Sequence, residues 1–498
     1  MQQNSESKTV SGISIKNNTV FNALKTISSV VFPLITFPYI SRVLLPENVG
    51  KINFAISIVS YFSLIASLGV TTYAIRECSR VRDDKNKLGN TASQIYTINI
   101  LTTIIAYLSL IATLLISRKL FNYRTLILIQ SLTIASTTLG ADWLNSAMED
   151  FKYIAIRTVS FQFISIGLMF LLVHSPKDYI VYAMISLFSS AGANIVNIWY
   201  RKRYCKVTVL WNIKKDIEWR RHFIPILYLF VMLLAQTIFN SMDSTMLGLM
   251  IGDREVGIYS TAHKMINIIN QLVASLLWVI MPRMSYYFEN KDYQRINYLL
   301  RKVLGFNVII GIPIIVGGVI TAGDLVRVIA GPEYGESSNV LQILLIGFGF
   351  SLVGGNFLGN AVLLPSQKEK YYMCVCCATA MVNVIGNYFF IPVFGARAAA
   401  GTTAVCSLLI LILLLLKVDK RIKIVNYRPL IFSPAVGCVG IAIMCYVCKL
   451  ISNTWWRLSI SIAGSILIYI LILYLLKNEL ALEILKMIKG RILKTNGD

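Results

Sequence analysis

Apolar runs recur from Val20 almost to the C-terminus, parted by short polar turns. Many reach the roughly 18 residues that mark a membrane-crossing helix rather than a buried core helix. The pattern predicts 14 spans, at 20–41, 52–74, 91–116, 125–147, 154–174, 179–200, 223–250, 258–281, 303–322, 339–363, 371–391, 398–417, 430–450 and 457–476. The first 19 residues are polar, and the first apolar run is too long and lacks the small-residue site of a cleavable signal peptide. The expected class is therefore an all-α polytopic membrane protein with 14 transmembrane helices.

One loop is written twice. "RVLLPENVGKINFA" (Arg42 to Ala55) follows the first span, and "LMIGDREVGIYSTA" (Leu249 to Ala262) follows the seventh. At one fixed offset Val49-Gly50 falls on Val256-Gly257, Ala55 on Ala262 and Arg76 on Arg283. The two loops lie six crossings apart, so they face the same side. That is the mark of a parallel repeat about an axis along the membrane normal. The expected organisation is an N-terminal six-helix lobe over 1–200, a basic linker over 201–222, a second six-helix lobe over 223–417, and two extra helices with a tail over 418–498.

Composition agrees: 56% of the residues are hydrophobic and 14% charged, against roughly 25% charged in an ordinary soluble chain. The formal net charge of +23 finds no soluble domain to present a basic face, so it belongs to the loops and not to a nucleic-acid site. Counted on alternate sides, 34 of the 47 Lys and Arg fall on the side of both termini and 12 on the other, which leaves Lys25 inside a span. Both termini are expected in the cytoplasm.

"FPYISRVLLPENVGKINFAISIVSYF" followed by "LGVTTYAIRECSRVRDD" resembles the opening of the Wzx-type flippases, which move lipid-linked polysaccharide repeat units and belong to a superfamily with the MATE exporters and lipid II flippases. "DWLNSAMEDFKYIAIR", "VGIYSTAHK", "AGPEYGESSNVLQIL" and "IPVFGARAAAGT" extend the likeness over nearly the whole chain. Two positions depart from the pattern: Leu45 stands where the family often writes Gly, and Arg397-Ala398 where it often has a Gly-Ala-Ala run. The resemblance implies a flippase in the bacterial cytoplasmic (inner) membrane. Its implied substrate is an undecaprenyl-diphosphate-linked oligosaccharide of the O-antigen or capsule kind, carried to the outer leaflet by alternating access. Membrane lipids, a proton or sodium ion and other polysaccharide-assembly proteins are the implied partners.

A polar head group cannot cross hydrocarbon unaided, so the spans need a hydrated and preferably cationic path. His263, Asn267, Asn270 and Gln271 fall on one face of the eighth span, with Lys264 beside them. By the resemblance, Lys264 stands where lipid II flippases place a cavity cation. Lys25, Asn356 and Asn360 complete the expected lining; the competing role for all these amides is hydrogen-bonding glue between helices. Asn383 and Asn387 read as packing, and Gly354, Gly355 and Gly359 as sites of close approach or bending. Asp243 is the deepest acid and the expected site of cation coupling, since a carboxyl in low dielectric needs a cation, a proton or a basic partner. Asp142 and Glu149-Asp150 read as braces of the inner loop.

The sequence carries no P-loop, no dinucleotide turn and no catalytic triad, so neither an enzyme nor a cofactor is expected. Cys374, Cys376 and Cys377 sit within one span with no His nearby in sequence and read as filler, not as a metal site. The alternative within the same fold is a MATE-like, cation-coupled exporter of small organic cations. An acidic, aromatic cavity would suit that task, whereas the polar set here leans cationic and amide-rich.

Overall fold

The computed structural model describes residues 15–212, 217–419, 421–422 and 427–483; part of the basic linker and the tail beyond 483 lie outside them. Every regular element among the described residues is helical. Eleven helical segments there are long and apolar enough to cross a membrane. One of them, Val20–Arg80, takes in the first two expected spans. The chain divides into two compact units, 1–249 and 250–498.

The first unit holds α1 (Ile15–Ser67), α2 (Val70–Arg80), α3 (Lys85–Ile116), α4 (Arg118–Asn122), α5 (Arg124–Gly140), α6 (Trp143–Ala147), α7 (Phe151–Leu172), α8 (Tyr179–Tyr200) and α9 (Trp219–Met250). α1 runs through Pro33 and Pro38 and is interrupted only at Leu45, at φ 65° and ψ 165°. The following Pro46 disfavours helical backbone there, and a positive φ is the conformation glycine adopts without strain. Leu45 thus sits in a glycine-like bend. The linker after α8 is stapled back along α3: the Thr208 and Leu210 amides donate to the hydroxyls of Ser93 and Thr97, and the Glu218 amide to Gln94.

The second unit holds α10 (Asp253–Glu289), α11 (Tyr293–Ile329), α12 (Ser337–Ser351), a π-helical continuation over Leu352–Leu363, α13 (Glu369–Phe394), α14 (Ala396–Leu415), α15 (Tyr427–Cys448) and α16 (Thr454–Leu475). The π segment contains the glycines the sequence singled out. A side chain at Gly354 would meet the Leu411 backbone at 3.0 Å, so Gly354 lets α14 come close, and one at Gly359 would meet the Tyr372 ring of α13 at 2.7 Å.

The two copies of the loop both interrupt the helical backbone at the same repeat position, with different geometry: a kink within α1 at Leu45 and, at φ 155°, a break before α10 at Gly252. Val49 and Val256 are buried, as are Ala55 and Ala262, each within its own unit. Packing and sequence repeat part company over one helix. α9 is the first helix of the expected second lobe, yet it lies in the first unit, where Ser241 meets Ser60 at 3.0 Å and the Thr245 hydroxyl reaches Ser57 and Tyr61.

Candidate functional site

The fourth expected span is not one helix. α5 stops at Gly140 after 17 residues, and Ala141 turns left-handed at φ 48°. α6 follows for a turn, Glu149 turns left-handed again at φ 57°, and Asp150 caps α7 by accepting the Tyr153 amide. Gly140 makes the break compact: a side chain there would lie 2.8 Å from Asn194 Cβ on α8. The break frees carbonyls at the end of α5, which must find donors when water is absent. Asn197 of α8 donates to the Gly140 carbonyl at 2.7 Å, and Asn145 of α6 donates to Asn197 at 2.7 Å and to Asp142 at 2.9 Å.

This arrangement fixes Asp142 opposite Arg157 of α7, with Nη2 2.6 Å from the carboxylate. Arg157 lies inside α7 with a side chain 5% exposed, against 30% for Asp142. The guanidinium also lies over the Tyr153 ring, 5.2 Å from its centre. Among the described residues its Nε and Nη1 are buried without a hydrogen-bond partner, and so is the nearby Trp143 Nε1. Unpaired donors of this kind cost about 1–3 kcal/mol each, more on a charged group, until something accepts from them.

Both residues line a cavity of about 610 Å³ within the first unit, together with Lys25, Ser29, Asn99, Thr138, Gln162, Ser189 and Asn194. Its walls come from α1, α3, α5, α7 and α8, with the break between α5 and α6 as one end. Two cations face one carboxylate, so the lining carries a formal excess of one positive charge amid hydroxyls and amides. Such a lining can accept an anion or a polyhydroxylated ring. Outside the spans, Tyr204 donates to Asp150, the N-cap of α7, at 2.7 Å; burial, and then that carboxylate, hold its phenol far above the usual value.

The residues expected from sequence fall in three places. Lys25 is half-buried in this cavity. Asp243 is buried in α9, two residues from the Thr245 hydroxyl cluster, and Thr36, its equivalent by the repeat, is buried as well. The stripe of the eighth span lies on α10 in the second unit. There His263 stacks on Tyr259 at 5.5 Å and lies 3.3 Å from Asn267, while Lys264 is half-buried and Gln271 exposed. Asn356 is buried and donates to Asn270 at 3.1 Å, and Asn360 is half-buried. Asn383 and Asn387 bond to one another and to Thr403 and Thr402 of α14, which is the packing role expected of them. Among the described residues no cluster of three or more metal-ligating side chains is found.

Comparison with known proteins bears on family and fold. The family model "Polysaccharide biosynthesis protein" matches residues 15–288, more than half of the chain, and the MatE model matches 229–389. A putative O-antigen transporter of Escherichia coli is 22% identical over 81% of this chain and 96% of its own length. The capsular polysaccharide biosynthesis protein CapF of Staphylococcus aureus is 24% identical over 74% of this chain and 90% of its own. Among solved structures, the lipid II flippase MurJ in an inward closed conformation superposes with a TM-score of 0.70 at 15% identity, covering 91% of this chain and 98% of that one. An inward-facing multidrug MATE transporter superposes at 0.57, also at 15% identity, over 82% and 94%. At these identities the structural likeness speaks for the fold.

Proposed function

The chain belongs to the polysaccharide biosynthesis protein family, and from that premise we propose that it is a flippase for an undecaprenyl-diphosphate-linked oligosaccharide repeat unit. It carries the unit from the cytoplasmic to the outer leaflet of the bacterial cytoplasmic membrane by alternating access, with both termini in the cytoplasm. The names of its relatives, an O-antigen transporter and a capsular polysaccharide protein, support this reading. So does a transporter fold of many apolar helices.

One observation carries the site: a buried guanidinium with two unpartnered donors at the wall of a polar cavity enclosed by membrane helices. A phosphate or acidic sugar oxygen satisfies those donors and balances the excess charge, and the surrounding hydroxyls and amides replace water around sugar rings. The test is Arg157→Ala and Arg157→Lys in cells lacking the native gene, with surface polysaccharide measured against membrane abundance. Arg157→Ala is expected to lower export by at least about tenfold, the equivalent of roughly 1.4 kcal/mol, and Arg157→Lys to recover part of it. Native export by Arg157→Ala at native abundance overturns this placement.

On the same reading, His263, Lys264, Asn267, Asn270, Gln271, Asn356 and Asn360 line the path in the second unit, and Asp243 couples transport to a proton or sodium ion. Asp243→Asn in proteoliposomes should stay folded and bind substrate, yet gain nothing from an imposed ion gradient. Gradient stimulation equal to that of the native protein removes Asp243 from coupling. Export of small organic cations is the second reading, favoured by the MatE match. The positive lining of the first unit's cavity opposes it, and unchanged accumulation of a fluorescent cation in cells with and without the protein excludes it.

A further inference from the structure

A second concavity of about 380 Å³ lies in the other unit, between α13 and α14, and its chemistry is the opposite of the first. Val382, Gly386, Phe390 and Phe394 line it from α13, four residues apart and therefore on one face. Ala398, Gly401, Thr402 and Val405 line it from α14, and Arg397 stands at its mouth. The slot owes its depth to small residues: a Cβ at Gly401 would meet nothing within 4 Å, so its floor is open there. Its hydroxyl, on Thr402, is already committed to Asn387 and to backbone carbonyls of its own helix, and the thiol of Cys406, which also lines it, donates to the Thr379 carbonyl. What remains is a hydrocarbon channel.

The length of the channel matches one leaflet. From Val382 to Phe394 the helix rises about 18 Å at 1.5 Å per residue, against about 15 Å for half of a bilayer's hydrocarbon core. Phe390, Phe394 and Val405 are themselves more than half exposed, so the channel opens sideways to lipid rather than into the protein. Arg397 is exposed at the first turn of α14, where the chain turns at Gly395. No ion pair of Arg397 occurs among the described residues. Glu255 of α10 reaches the same turn, where its carboxylate accepts the Ala396 amide at 2.7 Å. A cation at the interface beside an apolar channel one leaflet long is complementary to a single anionic amphiphile.

We propose that this slot is a binding site for an anionic phospholipid of the surrounding bilayer, with one acyl chain along α13 and α14 and its phosphate at Arg397. The transported glycolipid fits less well. Its diphosphate and sugars need several polar partners, and the slot offers one cation and no free hydroxyl. The proposal stands independently of the cavity in the first unit.

The test is native mass spectrometry of the purified full chain, titrated with phosphatidylglycerol or with phosphatidylcholine of the same acyl chains. Selective retention of phosphatidylglycerol is expected. Arg397→Gln should weaken it about fivefold, the effect of one interfacial cation, and abolish the preference over phosphatidylcholine. Gly401→Leu fills the floor with the charge intact and should lose retention of both lipids; Val405→Trp, at the exposed lip, serves if that variant is not recovered as a monodisperse protein. Equal retention of the two lipids, or phosphatidylglycerol binding unchanged in both Arg397→Gln and a slot-filling variant, overturns the site. Displacement of phosphatidylglycerol by stoichiometric undecaprenyl phosphate overturns the choice of occupant and assigns the slot to the transported lipid's tail.

Discussion

The first unit's cavity and the α10 stripe of the second unit are built from similar polar side chains used in different ways. In the second unit the amides answer one another: Asn356 donates to Asn270, and Asn267 sits against His263 one turn away. In the first unit a guanidinium meets one carboxylate and keeps two donors unanswered at the cavity wall. Matched amides hold helices together, whereas a buried cation whose donors exceed its acceptors is stabilised further by whatever enters. Valence left over, more than polarity as such, separates a ligand site from packing in these helices.

The largest expected effect comes from breaking the ion pair. Asp142→Ala leaves Arg157 charged and buried, a change that costs about 3–5 kcal/mol in comparable sites. A marked fall in the unfolding midpoint of the detergent-solubilised protein is expected. The double change Asp142→Leu with Arg157→Met should recover most of that stability while exporting no polysaccharide, which separates the pair's structural role from its ligand role. A double variant as active as the native protein makes the pair a fold element only.

An intermediate effect is expected at Lys264. If α10 lines the path, Lys264→Ala lowers export severalfold at native abundance, and Lys264→Arg retains more because a cation is what an anionic head group needs. Unchanged export by Lys264→Ala confines the charge requirement to the first unit and sharpens the contrast. The smallest effect belongs to the matched amides. Asn356→Ala should cost about 0.6 kcal/mol, the average for a hydrogen bond between membrane helices, and lower export less than Lys264→Ala does, since its amide on the path is already bonded to Asn270. An effect on export as large as that of Arg157→Ala would erase the distinction drawn here.

Much of the fold is legible in the residues. The duplicated loop predicts equivalent structure, and the chain breaks at both Leu45 and Gly252 and buries Ala55 and Ala262 alike. Lys25 stands out as a cation inside a span and does line a cavity. Arg157 was missed because the expected span began at 154, which placed it beside the cytoplasmic loop; α7 begins at Phe151, and the residue lies well over a turn inside. Asp142 read as a loop brace because it lies near the inner end of the expected span 125–147. Apolar periodicity carries straight through Gly140, and only tertiary structure reveals the two left-handed turns that bring residues 142 and 157 together. A positive charge within a turn or two of a span's edge is the signal to weigh, since hydropathy alone cannot say whether it faces in or out.

The π-wound stretch at Leu352–Leu363 bears on how the chain tolerates changes in length. In an α-helix, loss of one residue swings every later side chain by about 100° around the axis, given 3.6 residues per turn, and a buried face is turned outward. A π turn already holds a surplus residue relative to α winding. Deleting one residue there lets the coil tighten locally, and the helix beyond keeps its bearing. Length is negotiable at this point of the chain, and in α14, packed against it, it is fixed.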